Sequence, residues 1–88
     1  MTALLDLESI RDANPLPSVV GGVVKLHRAG REWKACCPFH ADRSPSFTIY
    51  AGGKRFCCFG CGAEGDVFDF VSKLHGVGLR DAAILLGK

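Results

Sequence analysis

The sequence predicts a small α+β domain, an antiparallel β-sheet flanked by short helices. Three observations predict it. Eighty-eight residues are enough for one small domain. The middle of the chain carries short β-forming runs separated by glycine turns, and both ends carry apolar residues at helical spacing.

The elements follow in order. Leu4, Leu7 and Ile10 recur at helical spacing and predict an amphipathic helix over 4–13. Asn14-Pro15 ends it, because the residue before proline is pushed out of the helical region. Pro17-Ser18 opens another short helical turn, and Gly21-Gly22 breaks it. Residues 23–28 and 32–37 read as two strands around Ala29-Gly30, with Val24 and Leu26 opposed by Lys25 and His27. A second hairpin follows. Ser46-Phe47-Thr48-Ile49-Tyr50 is rich in β-formers, Ala51-Gly52-Gly53 turns, and residues 54–58 return. Asp66 caps a helix over 67–75 with Val67, Val71 and Leu74 on one face and Phe70 beside it. Gly76-Val77-Gly78 separates a last helix that begins at Leu79, with Leu79, Ala83 and Leu86 in register. There is no long internal repeat, low-complexity tract or linker, so residues 1–88 are expected to form one domain. The last helix stops abruptly at Lys88, as a natural end or a cut would leave it.

A core this small leaves little net stability once chain entropy is counted, and such domains usually add disulfides, a metal or a partner. The five cysteines cannot all pair within the chain. The N-terminus lacks a basic n-region and meets Asp6 early, and no apolar run reaches the ~18 residues of a membrane span. An intracellular, cytoplasmic setting is therefore expected, where clustered cysteines more often bind metal than form bridges.

The strongest signal is Cys37-Pro38-Phe39-His40, a gap of seventeen residues, then Cys58-Phe59-Gly60-Cys61-Gly62. Two chelating pairs, each with two residues between the ligands, are the usual arrangement of a structural zinc site. The gap is long enough for one β-hairpin, which would bring the two knuckles together. Gly60 and Gly62 suit turns whose backbone angles a Cβ resists. Cys36 and Cys57 compete for the role. Adjacent side chains on a strand point to opposite faces, so Cys36 and Cys57 are expected to point away from the metal as small apolar residues. Cys37, His40, Cys58 and Cys61 would then enclose one Zn²⁺ at a site charge of −1. With all four positions filled by protein, the ion has no open position for water and is structural. His27 and His75 are expected on the surface.

Charge is uneven. Residues 1–24 sum to −2, residues 25–55 to +5 and residues 56–88 to −1. A basic middle third is where a nucleic-acid-facing surface is expected, although a solvated sheet face reads the same way. Nucleotidyl transfer needs clustered carboxylates holding Mg²⁺, and the nine acidic residues are scattered. Asp66 and Asp69 are explained by the start of a helix, where negative charge is favoured. The segment reads as an accessory module without its own catalytic site.

The run Cys37-Pro38-Phe39-His40, with Ser44-Pro45-Ser46-Phe47 and Phe56-Cys57-Cys58-Phe59-Gly60-Cys61-Gly62, resembles the N-terminal zinc domain of DnaG-type bacterial and phage DNA primases. Residues 29–34 resemble that family's turn before the first knuckle, and residues 65–71 its helix after the second. The resemblance implies a zinc ribbon, with metal ligands at Cys37, His40, Cys58 and Cys61. It implies a module that binds single-stranded DNA template, helps select the initiation site, and works with a primase catalytic domain on the same or a separate chain. A replicative helicase is a further partner. The template-facing surface is expected at Arg31, Lys34, Arg43, Phe47 and Phe56, the cations neutralising phosphates and the rings stacking on bases. For both phenylalanines, core packing is the competing expectation. A free-standing nucleic-acid-binding regulator and a protein-docking ribbon are the alternatives, and a steep salt dependence of strand binding separates the last from the other two.

Overall fold

The computed structural model describes residues 6–40 and 45–87. Among them the chain runs α1 (Leu7–Ala13), α2 (Leu16–Gly21), β1 (His27–Ala29), β2 (Glu32–Ala35), β3 (Phe47–Tyr50), a short 3-10 turn (Ala51–Gly53), β4 (Arg55–Cys58), β5 (Glu64–Gly65), α3 (Val67–His75) and α4 (Leu79–Leu86). The α+β class expected from the sequence is the one observed.

Of the helix predicted over 4–13, α1 occupies Leu7–Ala13; Asp6 has extended backbone and precedes it, and residues 4 and 5 lie outside the described residues. Asp6 caps it, its carboxylate accepting from the Ser9 amide at 3.2 Å and the Ser9 hydroxyl at 2.8 Å. Asn14 ends it and anchors it: Nδ2 donates to the Ile10 carbonyl at 2.8 Å and to the Leu86 carbonyl at 3.1 Å, tying α1 to the end of α4. Pro15 then forces a new start, and α2 buries Leu16 and Val20.

The strand predicted to begin at residue 23 begins at His27 instead. The reason lies in α2. The amides of Val23 and Val24 both donate to the Val20 carbonyl, so they are taken up by the helix end before a sheet can use them. The second strand ends at Ala35, two residues early, because Cys36 and Cys37 leave the sheet to form the first knuckle. β5 escaped prediction, since two residues are too few to show alternation.

All five strands pair antiparallel in the order β1-β2-β3-β4-β5. Register sorts the side chains into two faces. Trp33, Ile49 and Phe56 form one cross-strand row, and Ala35, Phe47 and Cys58 the next. This face packs on the helices through an aromatic cluster. Phe47 and Phe56 stack at 5.1 Å, and Phe70 of α3 meets both edge-on at 5.9 and 5.7 Å. Phe39 from the first knuckle joins the same cluster, 5.4 Å from Phe70. The opposite face carries the row His27, Lys34, Thr48, Cys57 and Glu64, with Glu32, Tyr50 and Arg55 at the next positions out.

Helix α3 begins where predicted. Asp66 accepts from the amides of Phe68 and Asp69, and Asp69 reaches back to the Asp66 amide, completing a capping box. Arg11 of α1 pairs with Asp66 at 3.0 Å and lies over the Phe68 ring at 5.1 Å, clamping α1 to α3. Val67, Phe68, Phe70 and Val71 are buried, and Leu74 packs beside them. In α4 the buried pair is Ala82 and Ala83, whereas Leu79, expected on the core face, is 56% exposed. The first turn, residues 79–81, is exposed, and two small side chains follow it into the core.

Candidate metal centre

The two knuckles leave the same end of the sheet, from two strands that run in the same direction on either side of β3. β2 delivers Cys37 just beyond its C-terminal end, and β4 ends on Cys58. Cys58 pairs with Phe47 and, through it, lines up with Ala35, so the strand register carries Cys58 to the inner face beside Cys37. The ligand atoms of Cys37, His40, Cys58 and Cys61 all lie within 4.8 Å of one another. Cys37 and Cys58 are buried, His40 is half-buried and Cys61 is exposed.

These distances suit a zinc ion. Tetrahedral thiolates at about 2.3 Å from Zn²⁺ stand about 3.8 Å apart, and Cys37 Sγ lies 3.8 Å from Cys61 Sγ. His40 Nε2 lies 3.3 Å from Cys58 Sγ, close to the separation expected of a nitrogen and a sulfur on one ion. The backbone prepares the sulfurs. The Phe39 amide donates to Cys37 Sγ at 3.4 Å, and Ser46 Oγ sits 3.5 Å from Cys58 Sγ. Glycine is needed for two different reasons. Gly62 has φ +79°, which side chains with a Cβ rarely adopt. Gly60 does not; there a Cβ would fall 2.9 Å from the His40 ring, so it is space that excludes a side chain.

Protonation explains why the cluster needs a cation. Burial pushes the Cys37 thiol up to about 12. Burial also acts upward on Cys58, but hydrogen bonds from Ser46, His40 and the Cys61 and Gly60 amides outweigh it and bring that thiol down to about 6. Hydrogen bonds favour the thiolate at Cys58, whereas burial above all, with a smaller push from the Cys58 charge, favours the thiol at Cys37. A divalent ion resolves the conflict. Bound there, Zn²⁺ supplies a tetrahedral cross-link between the two knuckles. Four protein donors leave it no open position, so it is structural.

Cys36 is exposed, and Cys57 stands in the outer row of the sheet, so neither faces the cluster. His27 and His75 are exposed and do not belong to the metal group. Among the expected template-facing residues, Arg31 is exposed in the β1–β2 turn and Lys34 stands in the outer row. Arg43 lies outside the described residues. Phe47 and Phe56 are corrected: they are 0% and 1% exposed, in the stacked pair of the core, where no base can reach. Register compels this, since Phe47 pairs with Cys58 and Phe56 stands two residues from it, both on the metal-facing side. The open face instead presents Tyr50, Arg55 and the 79%-exposed Phe59, which the sequence reading did not single out. Nor did it give Ser46 a role beside the metal.

Residues 3–88 match the CHC2 zinc finger family of the DnaG zinc ribbon. The chain is 39% identical to the DNA primase of Chlamydia trachomatis over 82 residues, covering 93% of this chain and 14% of that protein. It is 43% identical to the DNA primase of Mycobacterium tuberculosis over 82 residues, covering 92% of this chain and 13% of that one. The chain thus spans about one seventh of the length of these curated relatives. Its structure resembles the zinc-binding and RNA polymerase domains of Aquifex aeolicus primase with a TM-score of 0.84 at 32% identity, covering 99% of this chain and 21% of that one. Convergent ligands, a five-strand ribbon and these relationships agree, and the chain belongs to the CHC2 zinc-finger family of DNA primase zinc-binding domains.

Proposed function

We propose that this chain holds single-stranded DNA template for a primase, on the sheet face turned away from its helices. The observation that carries the reading is the groove on that face, about 370 Å³ and lined by Glu32, Lys34, Thr48, Tyr50, Cys57 and Phe59. Strands supply five of these residues and the zinc knuckle the sixth. A cation and exposed rings on a stiff sheet are what a single strand requires: phosphates meet Lys34, with Arg31 and Arg55 alongside, and unstacked bases meet aromatic faces. A zinc ion behind the sheet fixes the spacing of these groups before the strand arrives.

Primer synthesis belongs to a catalytic domain, on this chain's continuation or on another chain, and the module brings template to it and helps choose the start site. It acts in the cytoplasm, with a replicative helicase as a further partner. Among the described residues no helix is long and apolar enough to cross a membrane.

Fluorescence anisotropy of the zinc-loaded protein with labelled single-stranded oligonucleotides tests the reading. Affinity should fall steeply with salt, and Lys34→Ala should reduce the slope of log K against log salt by about 0.7, the contribution of one single-strand phosphate. Arg43→Ala, next to the first knuckle in sequence, should weaken binding with zinc content intact. Binding that ignores salt and both substitutions would favour a protein-docking ribbon instead.

A further inference from the structure

We propose that the groove on the open sheet face is a slot for one unstacked nucleobase, with Phe59 as its stacking wall and the Thr48 hydroxyl as the group that reads the base edge. The proposal rests on the single-strand reading and adds to it a base-discriminating position.

Thr48 is the first observation. It is 4% exposed, its side chain lines the groove, and its hydroxyl oxygen has no hydrogen-bond partner among the described residues. A buried unsatisfied hydroxyl costs roughly 1–3 kcal/mol. Nothing in the sheet asks for it: valine has nearly the same shape and suits a central strand as well. The fold therefore carries a polar group whose partner comes from elsewhere. A threonine hydroxyl can both donate and accept, and Thr48 is among the residues that line the groove.

Phe59 is the second. It stands 79% exposed between two zinc ligands, Cys58 and Cys61, and its amide is tied to the Ser46 carbonyl at 3.0 Å. The ring thus projects from a backbone held by the metal knuckle. An exposed ring on a fixed mount loses little freedom on stacking. Its surroundings supply edge chemistry. Lys34 donates and Glu32 accepts on the same groove, and the pair suits a base edge that carries an acceptor beside a donor. At about 370 Å³ the groove lies near the small end of ligand sites. A paired base in a duplex is stacked on both faces and cannot enter, so the occupant is a splayed base of a single strand.

The test uses zinc-loaded protein and fluorescein-labelled single-stranded oligonucleotides of about twelve nucleotides, within the span of a small sheet module. Strands differing only in base are compared. Wild type should prefer one base. Thr48→Val should weaken binding to that base by about fivefold, flatten the preference, and leave the salt slope unchanged, since no charge is lost. The same substitution should leave zinc content intact and keep or raise the melting temperature, because it removes the unsatisfied hydroxyl. Opposite signs for stability and binding are what a merely structural threonine would not give. Phe59→Ala should weaken all strands by roughly tenfold, with zinc content again intact. Strand binding that persists unchanged in both variants overturns the slot and leaves the sheet reading standing. Failure of wild type to bind any strand overturns both.

Discussion

Cys57 and Cys58 are neighbours with opposite fates, and the period of a strand decides them. Cys58 faces the cluster and Cys57 the outer groove. Cys58→Ser should therefore abolish stoichiometric zinc and melt the fold, while Cys57→Ser keeps its metal, as zinc analysis of the two purified variants would record. Equal losses would show the wrong quartet has been assigned. The ligands were legible because two knuckles of fixed spacing leave few ways to build a tetrahedron. The rings were not, although the same parity held the answer. If Cys58 points inward, Phe56, two residues earlier, must also point inward, and its ring joins the core. Phe56→Ala should then cost about 3–5 kcal/mol in stability, read by denaturant titration of the zinc-loaded protein. A strand-contacting ring would instead leave stability nearly unchanged. Phe59 escaped notice for a different reason: a residue inside a knuckle has no periodicity to assign its side.

At the scale of elements, local chemistry was readable wherever an end was capped. Asp66 announced α3 because an acidic residue followed three positions later by Asp69 forms a reciprocal cap. The structure adds that the same carboxylate holds Arg11 of α1 at 3.0 Å. Burial acts upward on the Asp66 carboxyl, but the Asp69 amide and Arg11 outweigh it and hold the group below the usual carboxylate value. Asp66→Ala removes a cap and an inter-helix clamp together, and should lower stability by about 1–2 kcal/mol by denaturant titration, without changing zinc content. Asp66→Asn, which keeps capping ability, should recover much of it. The start of β1 was unreadable because it depends on where α2 releases its last carbonyl, and the valines at 23 and 24 suit strand and helix end alike. On α4, Ala83 and Leu86 meet the core as expected; Leu79 alone of that set is exposed, and Ala82, whose small side chain carries little hydrophobic signal, is buried beside Ala83.

For the whole molecule, the sheet is a plate with one committed face and one open face. The committed face holds the aromatic cluster and the metal, and the open face holds the groove. Both knuckles hang on the central strands, so an ion that joins them also sets the twist and spacing of the plate. A core built on so few large side chains is too small to do this alone. Removing the ion with a strong chelator under reducing conditions should abolish the cooperative melting transition and strand binding together, and restoring zinc should recover both. The class of the fold was legible from its turns and helical spacings, but the division of the sheet into two faces depends on register between strands that are far apart in sequence.

X-ray absorption at the zinc edge of the folded, reduced protein bears most directly on all of this. One ion per chain, bound by three sulfurs near 2.3 Å and one nitrogen near 2.0 Å, is the result expected. A chain that folds with no ion, or an ion surrounded by a different set of atoms, would contradict the enclosed site from which the rest is built.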